Sequence, residues 1–188
     1  MASFCGARYA LIAYFGRGAD RQFGALVEQD SNDLYRSEMA SSDDLEGEFH
    51  TVEDGPFVGW RVWVGNHFET HTGPFYWRTE ENGTVTGAFL PEGKNMNDVS
   101  ILHGGAMMTF ADAAAGAVTY FGTDGQVSAV TVAFNSEFMG AGVAGTPVYA
   151  TGRIVRETKS MVFVQGQLEQ NGQPILGFSS AAKKLMPR

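Results

Sequence analysis

Between Gly104 and Phe121 the chain carries a single charged side chain, Asp112, and small residues dominate: Ala106, Ala111, Ala113, Ala114, Ala115, Gly116 and Ala117. Heptad spacing divides the stretch into two faces. Met107, Ala111, Ala114, Val118 and Phe121 form an apolar seam, while Gly105, Thr109, Asp112, Gly116 and Thr119 form a stripe of small and polar groups. A helix with so little charge is buried by whatever surrounds it. The stretch, closed by Gly122, therefore reads as a central helix that the rest of the fold must wrap.

The wrapping material is β-structure. Phe75–Thr79 and Thr84–Leu90 flank Asn82-Gly83, and Met161–Gln170 and Pro174–Lys183 flank Asn171-Gly172. Asn-Gly between alternating runs is a strong hairpin signal. Val127–Met139 and Pro147–Glu157 complete the strand-like set. Links this short join antiparallel neighbours, since parallel pairs need long crossovers. From residue 73 the order is β-β-α-β-β-β-β, an α+β domain with one antiparallel sheet curled around one helix.

Residues 1–72 read as an N-terminal extension, partly disordered or helical, ahead of a domain spanning 73–188. Glu28 to Glu48 is polar and almost free of β-branched residues, a composition that favours weak order. Met39 opens Met39-Ala40-Ser41-Ser42 and is an alternative start, which would make the first 38 residues an over-extended reading frame. In Gly55–Thr72, the spacing of Phe57, Trp60, Val62, Trp63 and Phe68 fits one face of a short helix.

Charge narrows the function. The chain has 13 basic and 21 acidic residues, a net charge of −8, with 12 acids against five Arg in residues 1–72 alone. A nucleic-acid ligand needs a basic surface to displace counterions from phosphates, so that class is excluded. No run reaches the roughly 20 apolar residues of a membrane span, and Tyr9–Phe15 is too short for a secretory signal. Cys5, the one cysteine, forms no intrachain disulfide, and a reducing cytoplasm is the expected setting.

Asp112 is costly on a buried helix unless it is hydrogen-bonded, paired or neutralised. It is either a structural acid, bonded to Thr109 or to nearby backbone, or a functional one. His103-Gly104-Gly105 stands where helix N–H groups lack partners and the dipole favours negative charge. Glycine there admits a ligand atom close to the backbone, and such a terminus can stabilise a developing oxyanion.

The run Asn97-Asp98-Val99-Ser100-Ile101-Leu102-His103-Gly104-Gly105, continued to Asp112, resembles the signature of hotdog-fold acyl-CoA thioesterases. More narrowly, it is similar to the phenylacetate-pathway branch of the 4-hydroxybenzoyl-CoA thioesterase superfamily, over residues 73–188. The resemblance implies that the Gly104 N–H and the Asn97 side chain polarise the thioester carbonyl. It makes Asp112 the general base on water or the nucleophile, and gives Thr131 the part of holding the water. It places His103 as a loop-orienting residue, with direct catalysis as the alternative. It also implies a site shared between two subunits, Asp112 of one facing Gly104 of the other, hence a homodimer that in many members pairs into a homotetramer. Two departures stand out. Ser100 occupies a position where the family commonly has Gly, and Gly140–Gly145 replaces a common Arg-Pro turn, which would loosen that loop.

Arg153, Arg156 and Lys159 are the basic cluster of the domain. Arg156 and Lys159 are candidates for the coenzyme A phosphates, with solvated strand-end charge as the alternative. His67 and His71, four apart, have metal-ligand spacing, but without a third ligand they and His50 read as surface histidines. No metal and no cofactor beyond substrate coenzyme A is expected. The chain lacks a Gly-x-Ser-x-Gly elbow and a Lys-Ser/Thr phosphate loop. The function expected is hydrolysis of an acyl-CoA to free acid and coenzyme A. A non-catalytic acyl-CoA-binding module and an enoyl-thioester hydratase are the alternatives. Met107, Met108, Phe110 and Phe138 either line an acyl pocket or fill the core.

Overall fold

The computed structural model describes residues 48–65, 67–123 and 127–185. The readings on Cys5, Met39 and the polar run up to residue 47 lie outside them. A compact unit begins at Glu46 and runs to the end of the chain. Its elements are β1 (Glu48–Thr51), β2 (Arg61–Val64), a one-turn helix α1 (Phe68–Thr72), β3 (Phe75–Thr79) and β4 (Val85–Phe89). The central helix α2 (Gly104–Gly122) follows, then β5 (Ala129–Phe138), β6 (Val148–Glu157), β7 (Met161–Gln170) and β8 (Gln173–Lys184). All eight strands form one antiparallel sheet in the order β1-β2-β3-β4-β6-β7-β8-β5. This is the hotdog architecture, a curled sheet around one long helix, as expected from residue 73 onward.

The seam of α2 meets the concave face of the sheet. Phe110 is fully buried among Phe75, Phe89 and Trp77, with ring centroids 4.9, 5.5 and 6.0 Å away. Ala111, Ala114 and Ala115 are buried beside it, and their small size lets the sheet approach closely. On the sheet, Gly152 faces Gly166 across β6 and β7. A Cβ at Gly166 would stand 2.4 Å from both the Phe178 ring and the Thr151 carbonyl, so only glycine permits that approach. The β7–β8 turn is the expected Asn-Gly type, with Asn171 and Gly172 at φ 54° and 72°.

The expected helix across Gly55–Thr72 is not formed; β2 and the single turn of α1 stand there instead. Gly55 and Gly59 adopt φ of 83° and 82°, which breaks a helix before it can propagate. Arg61–Val64 pairs with β1 on one side, and Arg61 and Val62 pair with β3 on the other. The aromatic spacing that fits a helical face also fits this strand and the turn before it. The Arg61 guanidinium lies 4.5 Å from the Phe49 ring and 5.3 Å from that of Phe121, tying the hairpin to the C-terminal end of α2.

Candidate active site

His103 is the N-cap of α2, and its Nδ1 accepts from the Gly105 N–H at 2.8 Å. The ring therefore serves one of the first-turn donors. Gly104, the first helical residue, has an N–H with no partner inside the helix. The preceding loop is fixed by Asn97, whose Oδ1 accepts from the N–H groups of Val99 and Ile101, each at 3.1 Å. With the oxygen so engaged, the Asn97 Nδ2 is the end of the amide left to donate. Ser100 takes φ 62°, the left-handed conformation that glycine adopts readily.

The Gly140–Gly145 turn is not loose. The buried Gln170 clamps it: Oε1 accepts from the Val143 N–H at 2.8 Å, and Nε2 donates to the carbonyls of Val143 and Thr146 at 2.9 and 2.8 Å. The Leu102 N–H donates to the Gly142 carbonyl at 2.8 Å, and a Cβ on Gly142 would come within 2.8 Å of the Leu102 side chain. The glycine thus lets the turn press against the residue that leads into His103.

Asp112 lies two turns further along α2 and is exposed, not buried as its helix implied. The Thr131 hydroxyl donates to its Oδ1 at 2.9 Å, across 19 residues of sequence. Thr109 bonds the Gly105 carbonyl instead, so the local structural partner considered for Asp112 is not the one it takes. A register shift in β5 between Thr131 and Ala133 leaves Val132 as an extra residue immediately beyond Thr131. Bulges of this kind re-aim side chains beside functional sites.

Asp112 and Thr131 open onto a groove of about 860 Å³, lined by α2 from Asp112 to Phe121, by the start of β5 and by aromatic side chains of β1–β3. Glu69 enters the same groove from α1, a residue that sequence reading missed. Partial desolvation by surrounding protein raises its carboxyl pKa above the ordinary 4.5; the nearby His67 opposes the rise and the charge of Asp112 adds to it. His67 is not the surface histidine expected. Its Nδ1 lies 3.1 Å from the Thr70 hydroxyl, and its Nε2 is buried with no hydrogen-bond partner among the described residues. His50 pairs with Glu48 at 3.1 Å. Among the described residues no group of three or more His, Cys, Asp or Glu could hold a metal ion.

Met107 and Phe110 are core residues, whereas Met108 and Phe138 are exposed, and none of the four lines the groove. Phe138 lies against Gly104, where an added Cβ would sit 3.2 Å from its ring. Arg156 and Lys159 are exposed at the β6–β7 turn and do not line the groove. Beside them Lys184 pairs with Glu157. No helix among the described residues is long and apolar enough to cross a membrane.

Residues 100–175 match the family model described as the Thioesterase superfamily. Among solved structures, a Streptococcus mutans protein bound to acetyl CoA is 21% identical, with 61% of this chain and 90% of that chain covered at a TM-score of 0.55. A Bacillus halodurans protein with CoA is 24% identical, covering 60% and 74% at 0.55. The PaaI protein of the Escherichia coli phenylacetic acid degradation operon is 16% identical, covering 64% and 86% at 0.57. No curated protein matches the chain. In motif and in architecture the chain resembles the hotdog-fold thioesterases.

Proposed function

We propose that the protein is an acyl-CoA thioesterase in which Asp112 is the general base. The observation that carries this reading is the Thr131–Asp112 hydrogen bond at the mouth of a large groove. That bond occupies one carboxylate oxygen and orients the other toward a water molecule. Asp112 takes a proton from the water as its oxygen adds to the thioester carbonyl. The oxyanion is held by the Gly104 N–H and the Asn97 amide at a positive helix end. As the tetrahedral species collapses, the C–S bond breaks and the coenzyme A thiolate takes the proton from Asp112, which leaves free acid, thiol and the regenerated carboxylate.

One chain cannot bring these groups together. Gly104 and Asp112 are eight residues apart on one helix, about 12 Å along its axis, whereas catalytic contacts span roughly 3 Å. A second copy supplies the missing half, Asp112 of one subunit facing Gly104 of the other. β5 supports this assembly: it is an edge strand ten residues long, with Val130, Val132 and Phe138 exposed. Such an edge is a template for pairing with another chain.

The test is free-thiol release from a panel of acyl-CoAs by wild type, Asp112→Ala and Asp112→Asn. Wild type is expected to release thiol, and each variant to lose about 10²- to 10⁴-fold in kcat. Release that survives both substitutions contradicts the assignment. Tight acyl-CoA binding by wild type without release supports a binding module instead.

A further inference from the structure

The groove continues well beyond the reacting groups. From Asp112 it follows α2 past Gly116 and Tyr120 to Phe121, which meets Phe49 of the β1–β2 hairpin; Trp63 of the same hairpin flanks the groove between Phe49 and His67. Phe49 lies 4.8 Å from Trp63 and 5.7 Å from Phe121, centroid to centroid, and Arg61 stacks over Phe49 and Phe121. This end is a wall of packed rings. The hairpin that builds it lies outside residues 100–175, the segment matching the thioesterase family model.

The carboxylates stand at one end. Among the described residues lining the groove, the carboxylates are Asp112 and Glu69, and His67 lies beside Glu69 and 6.1 Å from the Trp63 ring. The remainder is aliphatic, aromatic or small, with the hydroxyls of Thr119, Ser128, Thr131 and Ser180 among it. Gly116, one turn beyond Asp112, has open space where its Cβ would stand. Glycine inside a helix is destabilising relative to alanine. Packing gives no reason for it here, because no neighbour approaches.

Building on the thioesterase reading, we propose that this groove is the acyl chamber and that the β1–β2 hairpin sets its length, selecting straight apolar acyl chains. The eight residues from Asp112 to Tyr120 span about 12 Å of helix. With C–C bonds near 1.5 Å, an extended chain advances roughly 1.3 Å per carbon, so the chamber holds about eight to ten carbons. A single-ring acyl group would stop short of the Phe49–Phe121 wall. Each methylene lodged in the groove contributes about a fourfold gain in affinity.

The experiment measures kcat/KM for thiol release from acetyl-, butanoyl-, hexanoyl-, octanoyl-, decanoyl-, dodecanoyl- and hexadecanoyl-CoA. In wild type, kcat/KM is expected to climb at least about a hundredfold from butanoyl to decanoyl and then to level or fall. Gly116→Leu, with leucine the better helix former, places a side chain in mid-groove and should lower the decanoyl-to-butanoyl ratio at least about tenfold. Phe49→Ala should move the optimum to longer chains; an unmoved optimum overturns the hairpin's part in setting the length. A wild-type profile indifferent to chain length overturns the proposal while leaving the thioesterase reading standing. So does Gly116→Leu lowering all substrates equally, or weakening self-association measured by light scattering without changing the ratio. The last result would assign the groove to a second copy. If no acyl-CoA is cleaved, the thioesterase reading fails by itself. Binding of the non-hydrolysable S-decyl thioether of coenzyme A, read by calorimetry, then decides the chamber: at least about tenfold weakening in Gly116→Leu supports it, and unchanged binding overturns it.

Discussion

At its N-terminus, helix α2 is organised by contacts that mostly reach only a few residues: Asn97 to Val99 and Ile101, His103 to Gly105, Thr109 to Gly105. From Asp112 onward its surroundings come from far along the chain: Thr131 on the carboxylate, Glu69 beside it, Phe49 against Phe121. The first end is a backbone cradle bonded mostly within itself and braced from outside by the Gln170-clamped turn against Leu102. The second is a chamber assembled by tertiary packing. An oxyanion-binding cradle must be geometrically fixed, because its donors act only when already aimed. A chamber for an apolar chain needs volume and length, which many packings can supply, so this is where one chain can differ from another.

The largest expected effect removes what both ends share. Phe110→Ala should destabilise the fold by about 3–5 kcal/mol, read as a lowered denaturation midpoint at unchanged m-value. Disturbing the cradle alone should cost less. His103→Ala deletes the N-cap acceptor and should cost about 1 kcal/mol, while His103→Asn, a good N-cap residue, should restore most of it. Were both variants equally unstable, the cap would not be what His103 contributes. The smallest effect belongs to the chamber end and depends on pH. Because Glu69 has a raised pKa in the folded state, its contribution to stability is fully present below the ordinary 4.5 and is lost as pH rises through the raised value. Glu69→Gln should therefore flatten the decline in thermal midpoint as pH increases above 4.5. An unchanged decline would mean that Glu69 is solvated like any surface acid.

The same division explains what could be read from the residues. The hairpin turns, the strand order from residue 73 and the apolar seam of α2 from Met107 to Val118 rest on short-range patterns, and they stand as expected. The loop before α2 makes its side-chain bonds over a few positions, and Ser100 within it takes φ 62°, the conformation glycine adopts readily. Asp112 is exposed because the stripe it shares with Gly116 faces a groove, and helix composition cannot distinguish a groove from a core. β1 and β2 are four residues each, too short for alternation to outweigh a helical spacing of aromatics. Glu69 carries no sequence signal at all, because its approach to Asp112 depends on how α1 packs beside α2.

The central claim is that the cradle of one chain serves the carboxylate of another. Gly104→Pro removes the N–H at the first helical position, where helix geometry tolerates proline and the exposed Phe138 ring has room to shift away from the added carbons. His103, at φ −62° and ψ 134°, already has the backbone that precedes a proline. Gly104→Pro and Asp112→Ala chains, each inactive alone, are unfolded together, refolded as a mixture and assayed for thiol release. Random pairing makes half the dimers mixed, and each mixed dimer holds one intact site of two. The account predicts recovery of roughly a quarter of the wild-type rate. A mixture as inactive as its two parents, with mixed dimers shown to be present, would contradict it.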